Sequence, residues 1–192
     1  MKIRENNINT QDFWDRRHTS KDGTHNRDVT KQFRRFFTEG FVPEDKKISV
    51  LDVACGEVLY VQEFDNKKEY PEISFHALDI SPEVAKKNKE LSPRVETYSI
   101  NVSTEEIPGF YDYIVSMHSF EHFEDPVLVL NKCLKICYEK VIICVPYLDA
   151  WSNDPSHLHK FSLEDPFSGY ESYKILNDGQ EIFYVFKGLA VK

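Results

Sequence analysis

The chain has 192 residues, of which 41% are hydrophobic, 29% charged and 14% aromatic, and its formal net charge is −8. Those values fit one soluble globular domain with a sizeable core. The acidic balance excludes the basic field of a general nucleic-acid binder, and no apolar run approaches the ~20 residues of a membrane span.

Residues 1–28 are polar and are expected to form an N-terminal extension, with Phe13 and Trp14 as isolated anchors and no apolar segment of a signal peptide. Its basic residues Arg16, Arg17 and His18 fit a solvated face, or a contact for an anionic group. The main domain is expected over 29–192. It opens with "RDVTKQFRRFFTEGF", where Val29, Phe33, Phe36 and Phe37 fall at helical spacing. Asn26 or Asp28 caps that helix and Gly40 is placed just past its end.

From there strand and helix signals alternate. "ISVLDVA" is a near-continuous apolar run, as in a parallel strand buried on both faces. "EVLYVQEFDNKK" suits a short helix and "ISFHALDI" a second strand. "SPEVAKKNKEL" starts a helix with Ser81 as cap and Pro82 at the first helical position. "VETYSI" and "YDYIVSMH" are the third and fourth strands. "DPVLVLNKCLKIC" repeats the cap-then-proline start, and "KVIICVPY" is the fifth strand. Such alternation predicts right-handed crossovers and a doubly wound, mostly parallel α/β sheet. "YESYKILNDGQEIFYVFKGL" is two strand-like runs joined through Asp178-Gly179, so a seven-stranded sheet should end in an antiparallel hairpin.

The four cysteines, Cys55, Cys133, Cys137 and Cys144, read as reduced, mostly buried thiols of a cytoplasmic protein. Cys133 and Cys137 share a face if their segment is helical, but no zinc partners stand nearby. No metal site is expected. "HSFEH" places His118 and His122 four apart with Glu121 between, a two-ligand face if helical, yet the segment leaves a strand.

In an open parallel sheet the ligand lies beyond the C-terminal strand ends. The first strand ends at "ACGE", a small-residue turn with the single glycine Gly56. The second ends at Asp79, a carboxylate placed to accept both ribose hydroxyls of a nucleotide cofactor.

"VLDVACGEVLY", "FHALDISPEVAKKNKE" and "YDYIVSMHSFEHFEDPVLVLNKCLKI" resemble the small-molecule type of class I S-adenosylmethionine-dependent methyltransferases over about residues 29 to 187. "HLHKFS" also resembles a segment that these enzymes carry after the fifth strand. The resemblance implies a Rossmann-like fold and S-adenosyl-L-methionine as cofactor. It implies that Asp52 lies near the cofactor's amino group, that Asp79 binds the ribose and that Ile80 packs on the adenine. Asn101 and the Val102 N–H take the adenine edge. Ser116 to His118 lie near the methionine part and the transferring methyl. The loop departs from the family's three glycines: Ala54 stands for the first, Gly56 matches the second across Cys55, and Val58 stands for the third. Alanine is a mild replacement where φ is negative, whereas valine is bulky where helix and strand pack close, so a functional but loosened loop with weaker cofactor binding is expected.

A hydroxyl acceptor gains from a base near neutral pH. His118, directly after the fourth strand, and His157, on the loop after the fifth, are the candidates. His122 is expected to pack at the next helix start and His76 in the core. The loop's Tyr147, Asp149 and Trp151 suit a sugar, so the expected reaction is O-methylation of a sugar, glycan or other small polar acceptor. A non-catalytic cofactor-binding subunit is the alternative that Val58 favours. A nicotinamide-dependent oxidoreductase would require a G-x-G-x-x-G loop that "ACGEVL" does not supply.

Overall fold

The computed structural model describes residues 2–4, 6–19, 37, 40–41, 47–57, 73–148, 154–163, 167 and 169–192. Within them lie three long helices, α1 (Gln11–Thr19), α2 (Pro82–Leu91) and α3 (Pro126–Ile136). The strands are β1 (Ile48–Val53), β2 (Ile73–Asp79), β3 (Glu96–Ser99), β4 (Tyr111–Met117), β5 (Cys137–Pro146), β6 (Ser172–Leu176) and β7 (Glu181–Lys187). They form one sheet in the order β3-β2-β1-β4-β5-β7-β6. The first five are parallel, and β7 runs antiparallel between β5 and β6. The expected α/β sheet with a terminal hairpin is thus present. Its order reverses between β1 and β4, the switch point beyond whose C-terminal strand ends such sheets hold their ligands.

Local chemistry explains the boundaries. The Ser81 hydroxyl accepts from Val84 N at 3.3 Å with Pro82 opening α2, and Asp125 accepts from Leu128 N at 2.9 Å with Pro126 opening α3. Cys137 already begins β5, so it does not share a helical face with Cys133. The hairpin turns through Asp178 (φ 52°) and Gly179 (φ 85°), both left-handed, as an Asp-Gly turn requires. Two expectations shift. Helix α1 arises within the extension, where no helix was read, because its turns are polar and only Phe13 and Trp14 mark an apolar side. Gly40 and Phe41 are themselves helical, so Gly40 is not past a helix end. The rest of that expected helix, and the one over 58–69, lie outside the described residues.

Alternation along the strands sorts the core onto two faces. Leu51, Val53, Ile114, Ile143, Val145, Tyr184 and Phe186 face α3, Phe161 and Phe167. Val50, Phe75, Ala77, Val115, Ile142, Phe183 and Val185 face the other way, with Phe37. All four cysteines are free. Burial pushes the thiols of Cys133 and Cys137 up to about 12, and that of Cys144 up to about 11, so these thiols stay protonated and inert. No helix among the described residues is long and apolar enough to cross a membrane.

One carboxylate ties β4 to β1. Asp112 accepts from Ser49 N at 2.8 Å, from Ser49 Oγ at 3.0 Å and from Lys192 Nζ at 2.7 Å. Partial burial raises its pKa, but Lys192 and Ser49 outweigh this and hold it below the usual value. A depressed folded pKa means stability that is fully present above the ordinary aspartate value, near pH 4, and is lost as pH falls toward the folded one. Asp112→Asn should therefore cost about 1 kcal/mol at pH 7 and flatten the acid limb of the stability curve. Denaturant melts between about pH 3 and pH 7 check this, and an unchanged limb would remove Asp112 from the acid response.

Candidate active site

The loop after β1 is built from side chains that satisfy its backbone. Cys55 N–H bonds to Leu78 O at 3.0 Å, tying the loop to β2. Gly56 N–H donates to Asp79 Oδ2, and Ser81 N–H to Asp79 Oδ1, each at 3.0 Å. Three carbonyls of the strand end and loop are capped as well: Val53 O by Ser116 Oγ at 2.8 Å, Ala54 O by Ser119 Oγ at 2.9 Å and Gly56 O by Asn88 Nδ2 at 2.7 Å. These bonds anchor the described part of the loop, whereas Val58, on which the expected loosening rests, lies outside the described residues.

Gly56 turns at φ 51°, a conformation glycine adopts freely. Ala54 has φ 53°, so alanine does not sit in the mild negative-φ region here and carries left-handed strain instead. Ala54→Gly should relieve that strain, partly offset by a more flexible unfolded chain, for a net gain of about 0.5–1 kcal/mol. Equal or lower stability in a denaturant melt would show that the alanine's packing outweighs its backbone.

Asp79 is 5% exposed and Asp52 3%, both within the sheet's C-terminal half. Burial raises the Asp79 pKa, against the lowering pull of the Ser81 and Gly56 N–H groups and of His18. The Cys55 thiol is pushed well up by burial and by the charges of Asp79 and Asp52. Beside them a cavity of about 400 Å³ is lined by Ile80, Ser99, Asn101 and Glu105, with Asn9, Thr10 and Gln11 as its far wall. Asn101 anchors a turn there, its Oδ1 accepting from Ser103 N at 3.1 Å and its N–H bonding Glu105 at 2.7 Å. The Val102 side chain is buried in the core behind this turn.

At the end of β4, His118 also has a left-handed φ of 50°. Its N–H bonds to Cys144 O at 2.8 Å. Nε2 lies 3.2 Å from Glu181 and Nδ1 3.6 Å from Glu121, both glutamates 1% exposed at the side chain. Burial opposes a charge on His118, but Cys144, Glu121 and Glu181 outweigh it and hold the imidazole protonated well above the usual histidine range. Burial likewise opposes the Glu121 charge, yet His118 and His122 hold this carboxyl below the usual range.

His122 closes a single 3-10 turn (Phe120–His122) rather than an α-helix. Its ring meets His157 at 5.0 Å and Trp14 at 4.9 Å. Burial pushes its pKa down. His157 is 5% exposed, and the 157–159 segment is bound back to the 3-10 turn through Leu158 N→Glu121 O at 2.7 Å. The two catalytic candidates thus meet at one carboxylate, Glu121. His159 bonds instead to Glu124 O at 3.3 Å. His76 is half-buried beside Tyr98 and Ser74, away from the site. Arg17 is already paired with Asp154 at 2.8 Å and Arg16 with the Asp12 carbonyl. Tyr147 is half-buried against the apolar core, and Asp149 and Trp151 lie outside the described residues. The sequence reading missed Asn88, Glu181 and Ser119. Of these only Asn88 left a trace, as a polar residue four positions after Val84 on the buried face of α2.

A methyltransferase-domain family model matches residues 24–171. No curated protein matches the chain. Among solved structures, a candidate methyltransferase in complex with the Haloferax volcanii Trm112 methyltransferase activator aligns with TM-score 0.64 and 15% identity, over 91% of this chain and 97% of that one. A TehB-like S-adenosylmethionine-dependent methyltransferase from Corynebacterium glutamicum gives 0.59 and 13%, over 85% and 97%. The plantazolicin methyltransferase BpumL, solved with S-adenosylhomocysteine, gives 0.60 and 16%, over 83% and 82%. At these identities the structures establish the fold. Together with the family match they show that the chain belongs to the methyltransferase domain family, with the class I architecture of S-adenosylmethionine-dependent enzymes.

Proposed function

We propose that this chain methylates a hydroxyl of a small polar acceptor, a sugar or glycan end, using S-adenosylmethionine. The observation that carries this reading is the contact between loop and cluster. Ser119 binds the cofactor loop at Ala54 O, and beside it Glu121, His122 and His157 form a set able to accept a proton, with His118 3.6 Å from Glu121. A hydroxyl needs such a group as it gains a methyl, and an amine acceptor would need it less.

The residues present fit the cofactor. Asp79 and Gly56 face the ribose, Ile80 and Ser99 bound the adenine cavity, and Asn101 with the Val102 N–H serves its edge. Asp52, Cys55 and Ser116 flank the methionine end, with His118 beyond. Bound there, the sulfonium supplies an already activated methyl, so the protein's task is chiefly alignment and proton removal. His118, held as a cation, can orient the acceptor through a hydrogen bond but cannot take its proton, which must go to a group that is not yet protonated. His157 and Glu121 supply the basic side. Residues 9–11 cover the adenine cavity and exclude water from it.

Asp79→Ala should weaken S-adenosylmethionine binding by about 1.5–3 kcal/mol, the range for hydrogen bonds to a charged group, and somewhat more where Gly56 N–H is left without its acceptor. Isothermal titration measures it, and unchanged affinity would place the cofactor elsewhere. Turnover tested against sugars, nucleotide-sugars and amines decides the acceptor. Methylation of amines alone would overturn the hydroxyl assignment. Cofactor binding without turnover on any of them would favour the non-catalytic subunit. The Haloferax neighbour is solved with a protein activator, which supports repeating the screen with interacting proteins added.

A further inference from the structure

We propose that Glu121, His122 and His157 bind one divalent transition-metal ion of the zinc class. One ligand atom from each lies within 4.8 Å of the others. The sequence shows only the first two as neighbours, and the fold brings His157 to them from 35 positions further on.

Glu121 points most strongly to a missing cation. Its side chain is 1% exposed, and neither carboxylate oxygen accepts a hydrogen bond. The nearest ring nitrogens are Nδ1 of the cationic His118 at 3.6 Å and Nε2 of the neutral His122 at 4.0 Å, both beyond hydrogen-bond length. His118 offsets the charge from that distance, but two buried carboxylate oxygens without hydrogen bonds remain costly, and a directly bound cation would relieve that cost.

His122 is oriented for ligation. Its Nδ1 lies 3.0 Å from the Ser156 carbonyl. A carbonyl only accepts, so Nδ1 carries the proton, and the lone pair of the neutral ring sits on Nε2, facing Glu121. A second hydrogen bond to a backbone carbonyl is how ligating histidines are commonly fixed. Three ligands 2.0–2.1 Å from a tetrahedral ion stand about 3.4 Å apart, so closing on a metal takes inward shifts of under ~1 Å at side-chain ends. Two imidazoles and one carboxylate leave a position open for water or an acceptor oxygen, the pattern of catalytic rather than structural zinc. With an ion bound, His157 and Glu121 would serve as ligands rather than as free bases, and the ion would itself favour the deprotonated form of a bound hydroxyl.

The neighbouring group His118, Cys144 and Glu181 is the weaker candidate. There His118 Nε2 already meets Glu181 at 3.2 Å.

The test is metal titration of the full chain after chelation, with Zn(II) followed by elemental stoichiometry and Co(II) by its visible spectrum. The expected result is about one ion per chain, a tetrahedral cobalt spectrum without a thiolate band, and an unfolding midpoint that rises with metal concentration. His157→Ala and Glu121→Gln should weaken binding by at least ~10-fold. His159→Ala and Cys144→Ser should retain it. Circular dichroism confirms that each variant is folded, and the wild-type spectrum needs no variant at all. No stoichiometric binding by the wild type, or binding undiminished in folded His157→Ala, overturns the proposal. Loss of binding in Cys144→Ser, with a thiolate band in the wild type, moves the ion to the other cluster and overturns it as well. None of these readouts depends on methyl transfer, so the site can fail while the enzymatic assignment stands, and the reverse.

Discussion

Alanine at His157 should lower turnover by about 10²–10⁴-fold, the contribution of a positioned proton acceptor. That is about 2.7–5.5 kcal/mol of transition-state stabilisation. His157 is 5% exposed, packs against His122 and adjoins Glu121. It does not line the cavity proposed for the adenine. Affinity for S-adenosylmethionine should therefore stay within about threefold, and the loss should fall on kcat rather than on cofactor binding. Single-turnover kinetics beside a cofactor titration separates the two. If turnover drops by less than about tenfold, the histidine merely orders its loop.

The largest stability effect should come from Glu181→Ala, a loss of about 3 kcal/mol. Glu181 begins β7, is 0% exposed and lies 3.2 Å from the ring of His118. Removing it leaves the cationic imidazole with one carboxylate among the described residues, Glu121 at 3.6 Å. The value belongs at the low end of the range for broken buried pairs because the His118 side chain is 31% exposed and partly hydrated. Glu181→Gln, which keeps an acceptor of the same shape, should lose about half as much. Denaturant unfolding at pH 7 measures both. A change under ~1 kcal/mol for the alanine would show that solvent already screens the pair.

The sheet could be read from the sequence because each signal was local. Apolar runs marked β1 and β5, cap-then-proline pairs marked α2 and α3, and Asp178-Gly179 marked the hairpin. Asp79 and the Gly56 turn were readable for the same reason, since both lie at strand ends whose place in the sheet follows from alternation. The histidine cluster was only half readable. His118 and His122 stand close in sequence, but Glu181 and His157 reach them through tertiary folding, and no spacing rule links residue 121 to residue 181. Ala54 is the converse case. Its identity was visible while its positive φ was not, because backbone conformation at a loop is set by what the loop must reach, here Leu78 O and Asp79. Helix α1 went unread because its moment is small and its partners are polar or distant: Ser81 with Asp15, and His122 with Trp14.

Helix α1 is nine residues long, so its contacts move as one body. Gln11 at its start walls the cavity beside Ile80, Trp14 packs on His122, and Arg17 near its end holds Asp154. Lifting the first of these lifts the others. On the cofactor placement proposed above, opening the cavity for release of the spent nucleoside would also wet the histidine cluster, so this one helix couples the two events.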